Sequence, residues 1–366
     1  MRLLVACLST GPADDGAIAG LAAGLRPGDW DAFARLAITH HRVAPLVLPR
    51  LEGTALPDPV RAQLAQSVHR NAVQALVQVV ETGAMRAALE QAGIALGVLK
   101  GWPLAERLYG SVGGRHAGDL DLLVPEARVE AACAALGALG YGPDRSTPKM
   151  RRRARGLGDP GLVKAAKDIA LSHPDKTLTV ELHWQLLNYH GWPALLDRPG
   201  ALIRQESQAG PLLVPEPATD LIYLSAHGSL HLWGRLKWLA DIAAFARAAG
   251  PEALGAHWAA AERLGVARPM ALALGLAARL FGTPLPPGMA RETGLERWIL
   301  ARLGRTDRPP TDGPAYQIGL RWMGLRLAQG WRQKLGIVGY DTTRRLRLIR
   351  LDMRLRRGSG MGAESR

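Results

Sequence analysis

The hydrophobic pattern changes period twice along the chain. Over residues 15–93 apolar positions recur at helical spacing. Asp29 is placed to cap a helix running from Trp30 through Ala37 toward His41. Asp58, with Pro59 in the first turn, caps a second that continues to Ala92. Over 94–184 short β-like runs take over, at 94–99, 119–124, 168–172 and 177–184. His173-Pro174-Asp175-Lys176 supplies a turn between the last two, which predicts a hairpin. A helix over 126–139 separates the second strand from a basic loop at 145–167. Helical spacing returns over 217–305. Residues 306–315 read as a Pro- and Gly-rich linker, 316–357 as a basic helix and 358–366 as a frayed tail. The expectation is an α+β protein: a small mixed β-sheet core at 94–216, flanked by helical regions at 1–93 and 217–305, with a linker and basic tail at 306–366.

Composition narrows the class. Of 366 residues, 48% are apolar and 21% charged, which suits a packed core and excludes a disordered chain. Cys7 and Cys133 show no metal-ligand spacing and make no disulfide scaffold, so a reducing, cytoplasmic setting is expected. No run is long and apolar enough for a transmembrane segment. The net charge of +14 is localised. Segment 143–167 holds eight basic and two acidic residues, and 301–357 holds 14 basic and four acidic. The remainder is slightly acidic. Two positive patches favour phosphate-rich or acidic partners.

The β-rich stretch carries the chemistry. Asp119 and Asp121 are two apart on one predicted strand and so share a face. Glu181 adds a third carboxylate from the hairpin strand. Three adjacent anions repel one another unless a cation lies among them, and hard divalent cations prefer carboxylate oxygen. The set therefore reads as a two-ion Mg²⁺ site for in-line phosphoryl displacement, with Asp119, Asp121 and Glu181 as ligands and catalytic groups. Upstream, a strand ends at Lys100, Gly101 permits a tight turn and Pro103 suits the first turn of a helix, whose free N–H groups would face an anion. Lys100 adds charge there, and Arg115 is placed to clamp a phosphate oxygen. His183, beside Trp184, reads as a hydrogen-bonded core histidine.

Two further stretches are ambiguous. Positions 220, 224, 227, 231, 235, 238 and 242 share one face of a single predicted helix. That groups Asp220, His227, His231, Arg235 and Trp238 as a polar wall of a nucleotide cleft or a buried polar network. Lys237 and Asp241 read as a surface pair. Near the C-terminus, arginines alternate with leucines from Arg344 to Arg357, which suits an amphipathic helix docking an acidic partner or a membrane surface. Aromatic residues form no stacking array, which ranks nucleic acid below other partners.

These residues also carry a resemblance. The run Leu99-Lys100-Gly101, Leu108-Tyr109, Arg115 and Gly118-Asp119-Leu120-Asp121-Leu122-Leu123-Val124 resembles the uncharacterised nucleotidyltransferase family of the DNA polymerase β-like superfamily. Val180-Glu181-Leu182-His183-Trp184 resembles its third-acid strand. His227, His231 and Leu236-Lys237-Trp238-Leu239-Ala240-Asp241-Ile242-Ala243 resemble its second signature, and Asp29-Trp30 with His41-Arg42-Val43-Ala44-Pro45-Leu46 is similar to its early segment. The resemblance covers roughly residues 20–280. It implies a mixed α/β nucleotidyltransferase core that uses two Mg²⁺ ions and an NTP. The transfer of NMP with pyrophosphate release would go to a small-molecule or peptide acceptor, in a natural-product or surface-polysaccharide pathway. Two departures stand out: Trp102 follows Gly101 where a second small residue is usual, and the spacing from Gly101 to Asp119 is long. An antitoxin-like or nucleotide-sensing module and an RNA-terminal nucleotidyltransferase are the competing expectations.

Overall fold

The computed structural model describes the chain except residues 10–13, 117, 187–194, 197, 304–312 and 361–366. It divides into two compact, discontinuous units. One comprises Met1–Val77, Trp102–Ala117 and Pro217–Gln329; the other comprises Gln78–Gly101, Gly118–Glu216 and Gly330–Arg366.

The first unit is helical. Helices Pro217–Leu230, Leu236–Arg263 and Ala267–Phe281 pack on one another. Their Ala- and Leu-rich faces, including Leu239, Ile242, Leu272 and Leu276, are fully buried. Small alanines let the backbones approach while the leucines fill the space between them. The single helix expected over 220–242 is instead two helices. Leu232 and Trp233 both take φ of 50°, a left-handed backbone that ends the first helix before Arg235 starts the second. Trp233 is fully buried, and a Cβ on Gly228 would lie 2.3 Å from its ring. Glycine at 228 is what lets the indole fold back over the helix.

The second unit holds a seven-stranded mixed sheet in the order β3-β4-β5-β2-β1-β7-β6. The strands are β1 (Gly97–Val98), β2 (Leu120–Leu123), β3 (Gly142–Pro143), β4 (Asp168–His173), β5 (Lys176–His183), β6 (Leu202–Gln205) and β7 (Leu212–Pro215). β2 is buried throughout, as its near-continuous apolar run requires. It pairs antiparallel with β1 and parallel with β5. The β4–β5 hairpin forms as expected, with His173 opposite Lys176. β3, β6 and β7 were not legible; they are two to four residues long and lack alternation. The basic loop expected at 145–167 is largely helical, with helices Pro148–Arg155 and Pro160–Ala165. The expected linker falls mostly outside the described residues, and the basic helix expected over 316–357 is instead two helices, Gly313–Leu327 and Gly330–Gly360.

Candidate active site

Strand register builds the site. Parallel pairing sets Asp121 opposite Glu181 and Leu123 opposite His183. Residues 181 and 183 are two apart on β5, so both side chains share the face that carries Asp121. The alternate residues Leu120, Leu122, Val180 and Leu182 are fully buried on the other face. The antiparallel β4 places Asp168 opposite His183. From β1, the Leu99 N–H donates to the Asp121 carbonyl at 3.1 Å, which fixes where Lys100 leaves the sheet.

The side chains then converge. Lys100 Nζ lies 3.0 Å from Asp121 Oδ1. His183 Nε2 lies 3.1 Å from the same oxygen and 3.4 Å from Glu181 Oε2. Lys167 Nζ lies 3.2 Å from His183 Nδ1 and 2.5 Å from Asp168 Oδ2. Arg153 completes the row with an ion pair to Asp168. Asp121 and His183 are almost wholly buried, whereas the Glu181 side chain is 35% exposed. Burial pushes the Asp121 carboxyl up, but Lys100 and the His183 hydrogen bond outweigh it and hold the group well below the usual carboxylate range. The His183 hydrogen bond likewise holds Glu181 low against burial and the Asp121 charge. Burial, helped by the Lys100 charge, lowers the Lys167 ammonium to about 8.

One buried side chain, Gln78, lies beside both segments that enter the site. Gly101 adopts φ of 77°, which only glycine takes without strain, and the helix Trp102–Tyr109 follows directly. Gln78 is fully buried and its Nε2 donates to the Gly118 carbonyl at 2.5 Å, just ahead of Asp119. A Cβ on Gly101 would lie 3.8 Å from Gln78 Oε1. One amide thus lies beside the Gly101 turn and bonds the backbone ahead of Asp119.

Of the expected site residues, the structure brings Lys100, Asp121 and Glu181 together. Asp119 is exposed at the entry to β2. The convergent metal-ligating group among the described residues is Asp121, Glu181 and His183, whose ligand atoms lie within 4.8 Å of one another. Arg115 lies in the helical unit, 5% exposed, with Nε donating to Asp241 Oδ2 at 2.9 Å. Asp241 also accepts from the Tyr109 hydroxyl at 2.9 Å. Lys237 and Asp241 are both buried, which corrects the surface-pair expectation. Asp220, placed by spacing beside the histidines, pairs with Arg107 and is buried. His227 and His231 are in ring contact at 4.5 Å, and His231 stacks on Trp238 at 4.9 Å. Arg235 lies over that indole at 5.8 Å.

Sequence reasoning missed His183, Lys167, Asp168 and Gln78 as members of the site. The signal for His183 was present, since it lies two residues from Glu181 on one strand. No signal marked the others, because their approach depends on tertiary pairing.

The uncharacterised nucleotidyltransferase family matches residues 26–282, well over half of the chain, so the chain belongs to that family. No curated protein and no solved structure matches it.

Proposed function

We propose that this member of the uncharacterised nucleotidyltransferase family transfers a nucleotide from an NTP to an acceptor, with pyrophosphate release, at the β2–β5 carboxylates. The observation that carries the reading is the register of Asp121 beside Glu181, with Lys100 held against the pair. Family membership supports the reaction class.

The donor set fits a divalent cation. The Asp121 and Glu181 carboxylates offer ligand oxygens within 4.8 Å of each other, as a hard divalent cation takes, and Mg²⁺ would be held through them. Asp119, exposed two residues before Asp121, is the further ligand we propose, in keeping with a two-ion site. When bound, the metal supplies charge neutralisation at the reacting phosphate. His183 is better placed to orient than to ligate. Lys167 has only protons to offer, so His183 Nδ1 accepts and Nε2–H points at the carboxylates.

Lys100 would bind the triphosphate, exchanging Asp121 for a phosphate oxygen. Gly101 lets the backbone turn closely past that group. Glu181, the more exposed carboxylate, is placed to take the acceptor proton. Arg115 has its guanidinium committed to Asp241, and His227 and His231 sit in a ring stack, so these three are assigned to shaping the helical unit. The acceptor is proposed to be a small molecule or peptide.

The test is incubation with each labelled NTP, Mg²⁺ and a panel of small-molecule and peptide acceptors. Metal-dependent pyrophosphate release supports transfer. Stoichiometric NTP binding without release supports a nucleotide-sensing module instead.

A further inference from the structure

The C-terminal helix Gly330–Gly360 belongs to the sheet unit and packs on the helix Pro160–Ala165. Arg347 donates to the Lys164 carbonyl at 3.0 Å, and Arg354 pairs with Asp159 at 3.3 Å. Ile337 and Leu351 are buried, and at helical periodicity they lie about 40° apart on one side of the helix.

The opposite side should be polar, and it is not. Trp331 is 67% exposed, Leu335 60%, Val338 54%, Leu346 50%, Ile349 53% and Met353 48%. All six fall in a sector of about 80° opposite the buried pair. Thr342 is the one polar residue in line with them. The stripe runs for about 33 Å at 1.5 Å per residue. Exposed cations flank it, Arg332 and Arg350 on one side and Lys334 on the other. Arg332 lies over the Trp331 ring at 5.5 Å. Residues 330–360 carry nine basic side chains and two acidic ones.

An apolar stripe of this length facing water is unfavourable unless something covers it. A second copy of the helix would bring a strongly cationic face against another. An anionic bilayer surface satisfies both features at once: the stripe enters the acyl boundary and the flanking cations meet lipid phosphates. We propose that this helix docks the protein on an anionic lipid surface. Among the described residues no helix is long and apolar enough to cross a membrane, and the proposed contact is peripheral. The inference is independent of the nucleotidyl-transfer reading.

The test is flotation of the full chain with vesicles of phosphatidylcholine alone and with phosphatidylserine added, at low and high salt. The wild type is expected to float only with phosphatidylserine, and less so at high salt. Replacing Leu346, Ile349 and Met353 together by serine should weaken flotation by about tenfold or more. Replacing Arg332, Lys334 and Arg350 by glutamine should reduce flotation with phosphatidylserine to the level seen with phosphatidylcholine alone. Unchanged thermal melting confirms that each variant folds, since the exchanged side chains are exposed. Absence of flotation at low salt overturns the proposal, as does flotation that the serine variant leaves unchanged. A wild-type dimer that the serine variant dissociates, without flotation, would assign the stripe to self-association and equally overturn it.

Discussion

His183 holds Asp121 from one ring nitrogen while Lys167 holds His183 from the other, at 3.1 Å and 3.2 Å. The chain Lys167–His183–Asp121 fixes the imidazole as a donor to the carboxylates. His183→Gln keeps a donor at the same reach, whereas His183→Glu offers a ligand and adds a third anion. An orienting histidine predicts that Gln retains most metal-dependent activity and that Glu loses about ten- to a hundredfold. Metal titrations of both variants decide it. Tighter metal binding by the Glu variant with full activity would make His183 a ligand.

Asp121 also sets the stability of the metal-free protein. Two facing carboxylates alone would repel, and Asp121→Asn would then stabilise the apo form. Lys100 and His183 change the sign, because each hydrogen bonds the buried carboxylate. Asp121→Asn should cost about 1–3 kcal/mol in urea melts with chelator present. An increase in stability would show that repulsion dominates after all.

Much of this was legible in sequence, and the exceptions have physical causes. A near-continuous apolar run around Asp121 and alternation around Glu181 mark the two strands, because the first is buried throughout and the second is half-exposed. Which strands pair is not a local property, so Asp168 and Lys167 went unread beside His183. The helix over 220–242 failed for a different reason. Its apolar spacing continues through Leu232 and Trp233, while the backbone reverses there. The reversal depends on Gly228 leaving room for the Trp233 ring. Gly228→Ala should therefore destabilise by about 1–3 kcal/mol, read by thermal or urea denaturation. A neutral result would mean that the indole has another seat.

His41 makes the helical unit acid-sensitive. It is fully buried, and Nδ1 accepts the Leu236 N–H at 3.3 Å. Burial, with the charges of His40 and Arg235, lowers it to about 3 from an ordinary 6.5. A histidine with a depressed folded value contributes stability in full above its unfolded value. That contribution is lost as pH falls from 6.5 toward 3, because the unfolded chain takes the proton first. The wild type should lose about 2–3 kcal/mol from this group between pH 6.5 and 4.5. His41→Gln should show a shallower slope in urea melts over that range. Parallel slopes would place the acid sensitivity elsewhere.

Arg115 and Asp241 form a buried ion pair, so removing one partner strands the other. Asp241→Asn should cost about 3 kcal/mol or more, and Arg115→Met with Asp241→Leu together should recover part of it. Equilibrium unfolding of the two singles and the double gives the coupling. Additive losses would show that the pair does not act as a unit.

Asp121 and Glu181 are proposed to bind the metal that binds the NTP. The most direct measurement is thermal melting of wild type, Asp121→Asn and Glu181→Gln, each with and without Mg²⁺ plus NTP. Ligand that binds only the native form raises the wild-type Tm by mass action. That rise is expected in the wild type and is expected to be absent in both variants, whatever their metal-free stability. A full rise in either variant would remove that residue from the site and contradict the account.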